Sequence, residues 1–477
     1  MKFILINPDY MLYGDPPLGI ATLAAYLRRE CSFLDVKIMD QVPEKKMMKQ
    51  IVTEKPEVVG LTAVSQNYYK AVGLAKKIRE IHPNALLVIG GVHITTCQKA
   101  FEKSPFDLAV IGEGEVPAKN LFMTLERGGS PVELSKVPGF IIRDGDNIIN
   151  TGLSEQIKNL DDVPIPARDL LNMDFYNLPK FSYIDSIDPI GAIVTSRGCP
   201  YACKFCSSSA FWRRTIRFHS AERVVREVKF LYEKYKYTTM YIFDDLFTIN
   251  KERLRKIVEL LEKENLRGKL KFRVVGRANC FDDETADLLK KMGVTAVTFG
   301  FETGSDRLLG FLKGSSVTIK DGLRAIDISK KRGFVVGGFF MAGAPTETAA
   351  ELEETYEFIK KINLDGSVQC IQVNAFPGTF CWDYAVENKI IPEDFFEKEQ
   401  KRFIELNPDL LLSKDMTKEE FLAGYYKIRS LIKGRKVSIV SKLMMIRPRH
   451  IKAMMNSSFL RKANILKKIF LENMRLI

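Results

Sequence analysis

No stretch of this chain approaches the run of about 18 apolar residues that a membrane span requires, and no low-complexity tract or short-period repeat interrupts it. The first apolar run, Met1 to Ile6, breaks at Asn7-Pro8, too early for a signal-peptide core, and reads as a buried strand. Neither an aromatic-rich RNA platform nor a DNA-reading helix is evident, so no nucleic-acid partner is expected. These absences predict a cytoplasmic protein whose eight cysteines are reduced thiols or ligands rather than disulfides. Histidine is scarce: four in 477 residues.

What is present divides sharply. The net charge of +13 comes from the end of the chain, where fourteen Lys or Arg follow from Lys427 onward against one acidic residue, Glu472. The remaining residues carry 58 charges of each sign. A basic tail on a neutral body points to a docking surface rather than to nucleic acid. Its apolar residues, among them Leu443-Met444-Met445-Ile446 and Ile465-Leu466, alternate with cations at helical spacing. Two readings stay open: an amphipathic helix on anionic lipid at the inner membrane surface, or a cap packed on the body with its charged heads solvated.

A chain of this length holds two or three domains. Strands are expected at 2–7, 36–40, 58–63, 85–90 and 108–112, with helices at 18–30, 44–54, 66–82, 94–103 and after 115. That alternation predicts an α/β fold with a doubly wound parallel sheet over residues 1–136, whose ligands bind at the carboxyl ends of the strands. Residues 137–187 read as a connector with two short strands around Asp144-Gly145-Asp146, followed by Pro164, Pro166 and Pro179. Strands restart at 190–197, 238–245, 270–278, 296–302, 334–343 and 367–376, with helices at 219–235, 250–265, 282–292, 318–331 and 348–362. Six such units over 188–395 predict a partial (β/α) barrel with its site at the carboxyl strand ends. Residues 396–477 read as a basic helical region.

The segment Thr195-Ser196-Arg197-Gly198-Cys199-Pro200-Tyr201-Ala202-Cys203-Lys204-Phe205-Cys206 follows the first barrel strand. Its CxxxCxxC spacing lets one loop wrap three corners of an iron–sulfur cubane and leaves one iron open for a small-molecule ligand. The other cysteines, Cys31, Cys97, Cys280, Cys370 and Cys381, are scattered. A zinc site would want a fourth Cys or His at short spacing, and the nearest histidine is His219, thirteen residues on. The segment resembles the signature of the radical S-adenosylmethionine (SAM) superfamily, with an aromatic residue, Phe205, before the last cysteine. The resemblance implies a 4Fe–4S cluster on Cys199, Cys203 and Cys206 that binds SAM and cleaves it to a 5′-deoxyadenosyl radical. It further implies SAM contacts from Phe205, Asp244, Asp245, Arg277, Glu302, Ser305, Gly343 and Glu347. Gly300-Phe301-Glu302-Thr303-Gly304-Ser305 matches the family's ribose and methionyl segment, and Gly338 to Thr348 resembles its adenine segment, where Ala344 and Thr346 depart from the common Gly-x-Pro-Gly-Glu-Thr.

Gly14 to Ile20, Val88 to Thr95 and Ile111 to Glu115 resemble the cobalamin-binding domain that precedes many enzymes of this branch. Glycines at strand ends let backbone approach a bulky corrin. Contacts are implied from Ser65, Gly90, Gly91, His93, Gly112 and Glu113. The DxHxxG pattern that supplies a histidine to cobalt is missing, so His93 is expected at the pocket rim and cobalamin base-off. The combined expectation is a methyltransferase acting on an unactivated carbon of a small-molecule or lipid-like substrate, reduced by a flavodoxin- or ferredoxin-type donor. The alternative on the same scaffold is a radical cyclisation, oxidation or rearrangement. A transfer-RNA methylthiolating enzyme would need three more amino-terminal cysteines, and only Cys31 and Cys97 lie there. A non-catalytic cobalamin or nucleic-acid binder leaves the three clustered thiols without a purpose.

Overall fold

A computed structural model describes residues 1–8, 15–177, 190–398 and 406–433. The chain forms two compact units. The first holds residues 1–173 with 206–217 and 375–403; the second holds 174–205, 218–374 and the described residues from 406 onward.

In the first unit, seven strands are introduced in chain order: β1 (Lys2–Ile6), β2 (Asp35–Met39), β3 (Val58–Thr62), β4 (Leu86–Gly90), β5 (Leu108–Val110), β6 (Phe140–Asp144) and β7 (Asn147–Asn150). Their spatial order is β2-β1-β3-β4-β5-β6-β7. The first five run parallel. Continuous apolar runs such as Phe3-Ile4-Leu5-Ile6 suit strands covered on both faces. Ile4 and Ile6 enter one core, while Phe3 and Leu5 enter another. The predicted doubly wound sheet is therefore present.

Two local features differ from expectation. The helix foreseen at 94–103 is one turn, Val92–Thr96, followed by a 3₁₀ turn at Gln98–Phe101. Four of its five residues are β-branched, and the Thr95 and Thr96 hydroxyls donate to the carbonyls of Gly91 and Val92, four residues back. The hairpin foreseen inside the connector extends the sheet: Leu108 pairs with Ile142 and Val110 with Phe140, antiparallel. Gly145, at φ 57°, makes its turn.

The second unit carries six parallel strands, Ile190–Ile193, Thr239–Ile242, Lys271–Gly276, Val294–Glu302, Val335–Ala342 and Val368–Gln372, hydrogen-bonded in sequence order. This is the expected partial barrel. The helices between them start on Ser220, Asn250, Asp282, Thr318 and Thr348, whose side chains accept backbone N–H groups. Alternate strand residues divide the sheet. Met240, Phe272, Phe299 and Phe340 are buried on one face, whereas Tyr241, Phe243, Phe339 and Ile371 on the other keep partial exposure. A helix the sequence did not disclose, Asp306–Lys313, follows the fourth strand. It is only eight residues long, so its apolar period, Leu308, Leu309 and Leu312, spans barely two turns. The helix Lys418–Lys433 packs on Ala349–Lys361, where Lys427, the first cation of the basic tail, pairs with Glu353 at 2.6 Å. Residues 434–477, Gly14 and Pro179 lie outside the described residues, and with them both readings of the tail. Among the described residues no helix is long and apolar enough to cross a membrane.

Because Phe140 is fully buried in the hairpin, Phe140→Ala should cost about 3–5 kcal/mol. Urea denaturation followed by circular dichroism checks it; an unchanged midpoint would mean that the hairpin is a detached linker.

Candidate active site

The cysteine loop grows from a buried polar knot. Asp244, 3% exposed, accepts from the Thr195 backbone N–H (2.5 Å), the Thr195 hydroxyl (2.5 Å) and the Ser196 hydroxyl (2.6 Å). Arg253 reaches the same threonine, donating to its carbonyl at 2.8 Å and its hydroxyl oxygen at 2.5 Å, and also to the His219 carbonyl at 3.0 Å. Burial pushes the Asp244 carboxyl up, against the pull of Arg253 and the three donors. Asp244, expected to contact SAM, holds the strand end from which the loop leaves. Thr195 and Arg253 were missed as functional residues, although Thr195 opens the cysteine motif. Gly198, at φ 92°, then turns the chain into Cys199.

Arg277 sits beside this loop. Its Nη1 donates to Cys203 Sγ at 3.4 Å, its Nη2 to the Lys313 carbonyl at 3.1 Å and its Nε to Asn279 Oδ1 at 3.0 Å. The guanidinium lies 3.8 Å from the centroid of the Tyr201 ring, whose hydroxyl is 2.9 Å from Cys280 Sγ. Lys313 bonds Glu302 at 3.0 Å and the Gly300 carbonyl at 2.7 Å, with both side chains buried. Glu302 has a φ of 68°, and pairing with the next strand slips between Gly300 and Glu302. A non-glycine residue held in the left-handed region stores strain that the buried pair sustains.

Ser305 caps the helix Asp306–Lys313 and donates to Glu351 at 2.8 Å. Glu351 also takes Arg307, which, with the Ser305 and Thr348 donors, outweighs desolvation and holds its carboxyl down at about 2. After the fifth strand, Gly343 (φ 82°) and Thr346 (φ 62°) shape a tight loop. A Cβ at Gly343 would stand 3.0 Å from both Leu411 and Phe421. Glu347, fully buried, accepts from the Gly343 and Ala344 N–H groups through Oε2, while its Oε1 has no partner. Burial pushes this carboxyl up to about 7. Asp245 is exposed and Phe205 half-buried.

In the first unit, the carboxyl ends of the parallel strands keep Gly90, Gly91 and Gly112 partly exposed, so a ligand there meets backbone. Gly91, at φ 104°, passes so close to the chain after β3 that a Cβ would lie 2.7 Å from the Ala63 oxygen. His93 is not at a rim. It is 1% exposed, lies 4.2 Å from the Tyr68 ring and 5.7 Å from the Phe396 ring, and shares a hydrogen bond with Ser65 at 3.1 Å. Its Nε2 is buried without a partner, and desolvation lowers its pKa to about 3, so the ring is neutral. Glu113 is likewise occupied: Arg217 grips both its oxygens, at 2.8 and 2.9 Å, and the Ile157 N–H adds a third bond at 2.7 Å. Ser154 and Gln156 bind the same segment, accepting from Arg213 and donating to the Trp212 carbonyl. The chain immediately after the third cysteine is thus sewn onto the first unit.

The donors suit the implied cofactors. Three part-exposed thiols within eight residues, with no disulfide among the described residues, match the chemistry of a three-thiolate cluster. Burial pushes the Cys199 thiol up, so its deprotonation belongs to metal binding. Among the described residues, no three His, Cys, Asp or Glu side chains already stand within metal-holding reach of one another. The open backbone at the first sheet's strand ends suits a large planar ligand.

Comparison with known proteins agrees with this architecture. Residues 13–122 match the B12 binding domain and residues 193–359 the Radical SAM superfamily. An uncharacterized methyltransferase of Pyrococcus horikoshii is 36% identical over 79% of this chain and 80% of its own length. The anaerobic magnesium-protoporphyrin IX monomethyl ester cyclase of Rubrivivax gelatinosus is 28% identical over 76% of this chain and 66% of its own. The radical SAM methyltransferase TsrM of Kitasatospora setae, solved with cobalamin and a 4Fe–4S cluster, shares the fold at a TM-score of 0.66 and 20% identity, over 80% of this chain and 78% of its own. A cobalamin-type sheet followed by a radical SAM barrel defines the class. The chain belongs to the cobalamin-dependent radical SAM methyltransferase family, and its cofactors are a 4Fe–4S cluster, SAM and cobalamin.

Two predictions follow from buried groups. A carboxyl with a raised folded pKa holds its proton more tightly when folded, so Glu347 lowers stability as pH rises from 4.5 to about 7, with no further change above. Glu347→Gln should remove that slope, matching wild type near pH 4.5 and exceeding it at pH 8 by on the order of 3 kcal/mol. Urea midpoints at the two pH values read it; an equal difference at both would refute it. Removing one partner of a buried ion pair typically costs about 3–5 kcal/mol. Arg217→Met should show this loss, and adding Glu113→Gln should restore part of it in a double-mutant cycle.

Proposed function

We propose that this enzyme methylates an unactivated carbon of an apolar small molecule. The observation that carries the reading is the donor set: three thiols on one barrel loop with no fourth cysteine in the motif, downstream of a parallel sheet with open glycine strand ends. When bound, the cluster supplies the electron that cleaves SAM to a 5′-deoxyadenosyl radical, and cobalamin carries the methyl group. The protein's own residues position and shield. Asp244, Thr195 and Arg253 fix the root of the loop, and Glu302 with Lys313 forms a buried ion pair beside it. Tyr241, Phe243, Phe339 and Ile371 on the less covered sheet face support an apolar substrate and exclude water from the radical. The one-electron donor is of the flavodoxin or ferredoxin type. The basic residues from Lys427 onward suit contact with an anionic membrane surface that would deliver a lipid-like substrate.

A second reading, radical cyclisation, is favoured by the likeness to the magnesium-protoporphyrin ester cyclase. The products separate the two. The reconstituted enzyme, incubated without oxygen with SAM, reductant and a lipid extract, should release both 5′-deoxyadenosine and S-adenosylhomocysteine and add a methyl mass to one extract component. 5′-Deoxyadenosine alone would overturn methylation. Replacing Cys199, Cys203 and Cys206 together by Ala should abolish both products and the iron.

A further inference from the structure

Arg277 has a bonding pattern that contact with SAM does not require. All three of its nitrogens are occupied: Nε by Asn279, Nη2 by the Lys313 carbonyl and Nη1 by the sulfur of Cys203. Each partner is itself anchored. Asn279 donates to the Ser316 carbonyl at 3.0 Å, and Lys313 is buried against Glu302. The guanidinium face is covered by Tyr201, which stands between Cys199 and Cys203 in the motif. At 7% exposure the charge is little screened, and its stacked, forked geometry cannot be reproduced by lysine. A fixed cation donating to a cysteine sulfur lowers the energy of the more negative state of whatever metal centre that sulfur holds. Hydrogen bonds to the sulfurs, net charge and solvent exposure are the levers that set iron–sulfur potentials.

We propose that Arg277 is an electrostatic tuning residue of the cluster: its N–H···S bond to Cys203 raises the cluster's reduction potential and so eases delivery of the first electron. In that step the cluster gains one electron from a one-electron donor of the flavodoxin or ferredoxin class; no bond is made or broken and no proton moves. The inference rests on the cluster assignment, not on methylation, because the potential is a property of the enzyme before SAM arrives.

The test is a dithionite titration of full-length, cluster- and cobalamin-loaded protein without SAM, following the reduced cluster by electron paramagnetic resonance. Arg277→Met should make reduction at least tenfold less favourable, a shift of about 59 mV to more negative potential for a one-electron couple, at unchanged iron content. Arg277→Gln, which keeps a donor but loses the charge, should shift the same way by less. If the Met variant fails to hold its iron, the Gln variant decides alone. A potential equal to wild type in the cluster-bearing variant overturns the proposal. So does a shift that appears only after SAM is added, which would make Arg277 a SAM contact.

Discussion

The bond between Asp244 and Thr195 is the constraint on which the site depends. A carboxylate at the end of the second barrel strand takes the backbone and hydroxyl donors at the end of the first, and Arg253 locks the same threonine from the following helix. Burying such a group is costly unless every lone pair is engaged. Here that cost buys a fixed departure point for a loop whose own residues, Pro200 to Lys204, are half-open. Arg277 then anchors the loop's middle through Tyr201 and Cys203, and Arg217 anchors the chain after Cys206. The motif is held at its root, its centre and its exit by three buried or half-buried arginines.

The same logic explains why several motif carboxylates turn inward. Glu113, Glu302, Glu347 and Asp244 are each expected to meet a cofactor, and each also binds protein: Arg217, Lys313, the Gly343 loop and Thr195. Loops at strand ends must leave backbone exposed for large ligands, and exposed backbone is poorly held. A buried carboxylate that ties the loop from beneath supplies rigidity without filling the space above. Among the described residues, one oxygen of Glu347 and the Nε2 of His93 are buried polar atoms left without a partner beside this bracing.

Much of the fold was legible because its signals are local. Apolar runs such as Leu86 to Gly90 and caps such as Ser220 and Thr348 announce parallel strands and their crossover helices within a few residues. The cysteine triplet was legible because three ligands share one loop. What stayed hidden depends on distance along the chain: Thr195 and Asp244 are 49 residues apart, Glu113 and Arg217 are 104. Residue type shows that a buried charge needs a partner but not which one. His93 was hard to place for a related reason, since Phe396, which helps to bury it, is 303 residues downstream in the sequence. The helix Asp306–Lys313 was lost because its eight residues carry barely two turns of apolar period, Leu308, Leu309 and Leu312.

The most direct measurement of this account is the iron content of Asp244→Asn after anaerobic reconstitution, with circular dichroism of the same sample. The substitution keeps the volume but swaps an acceptor for a donor facing the Thr195 and Ser196 hydroxyls. If Asp244 fixes the root of the loop, the variant keeps its secondary structure while its iron falls well below the wild-type value of about four per chain. Full iron occupancy in a folded variant would contradict the account.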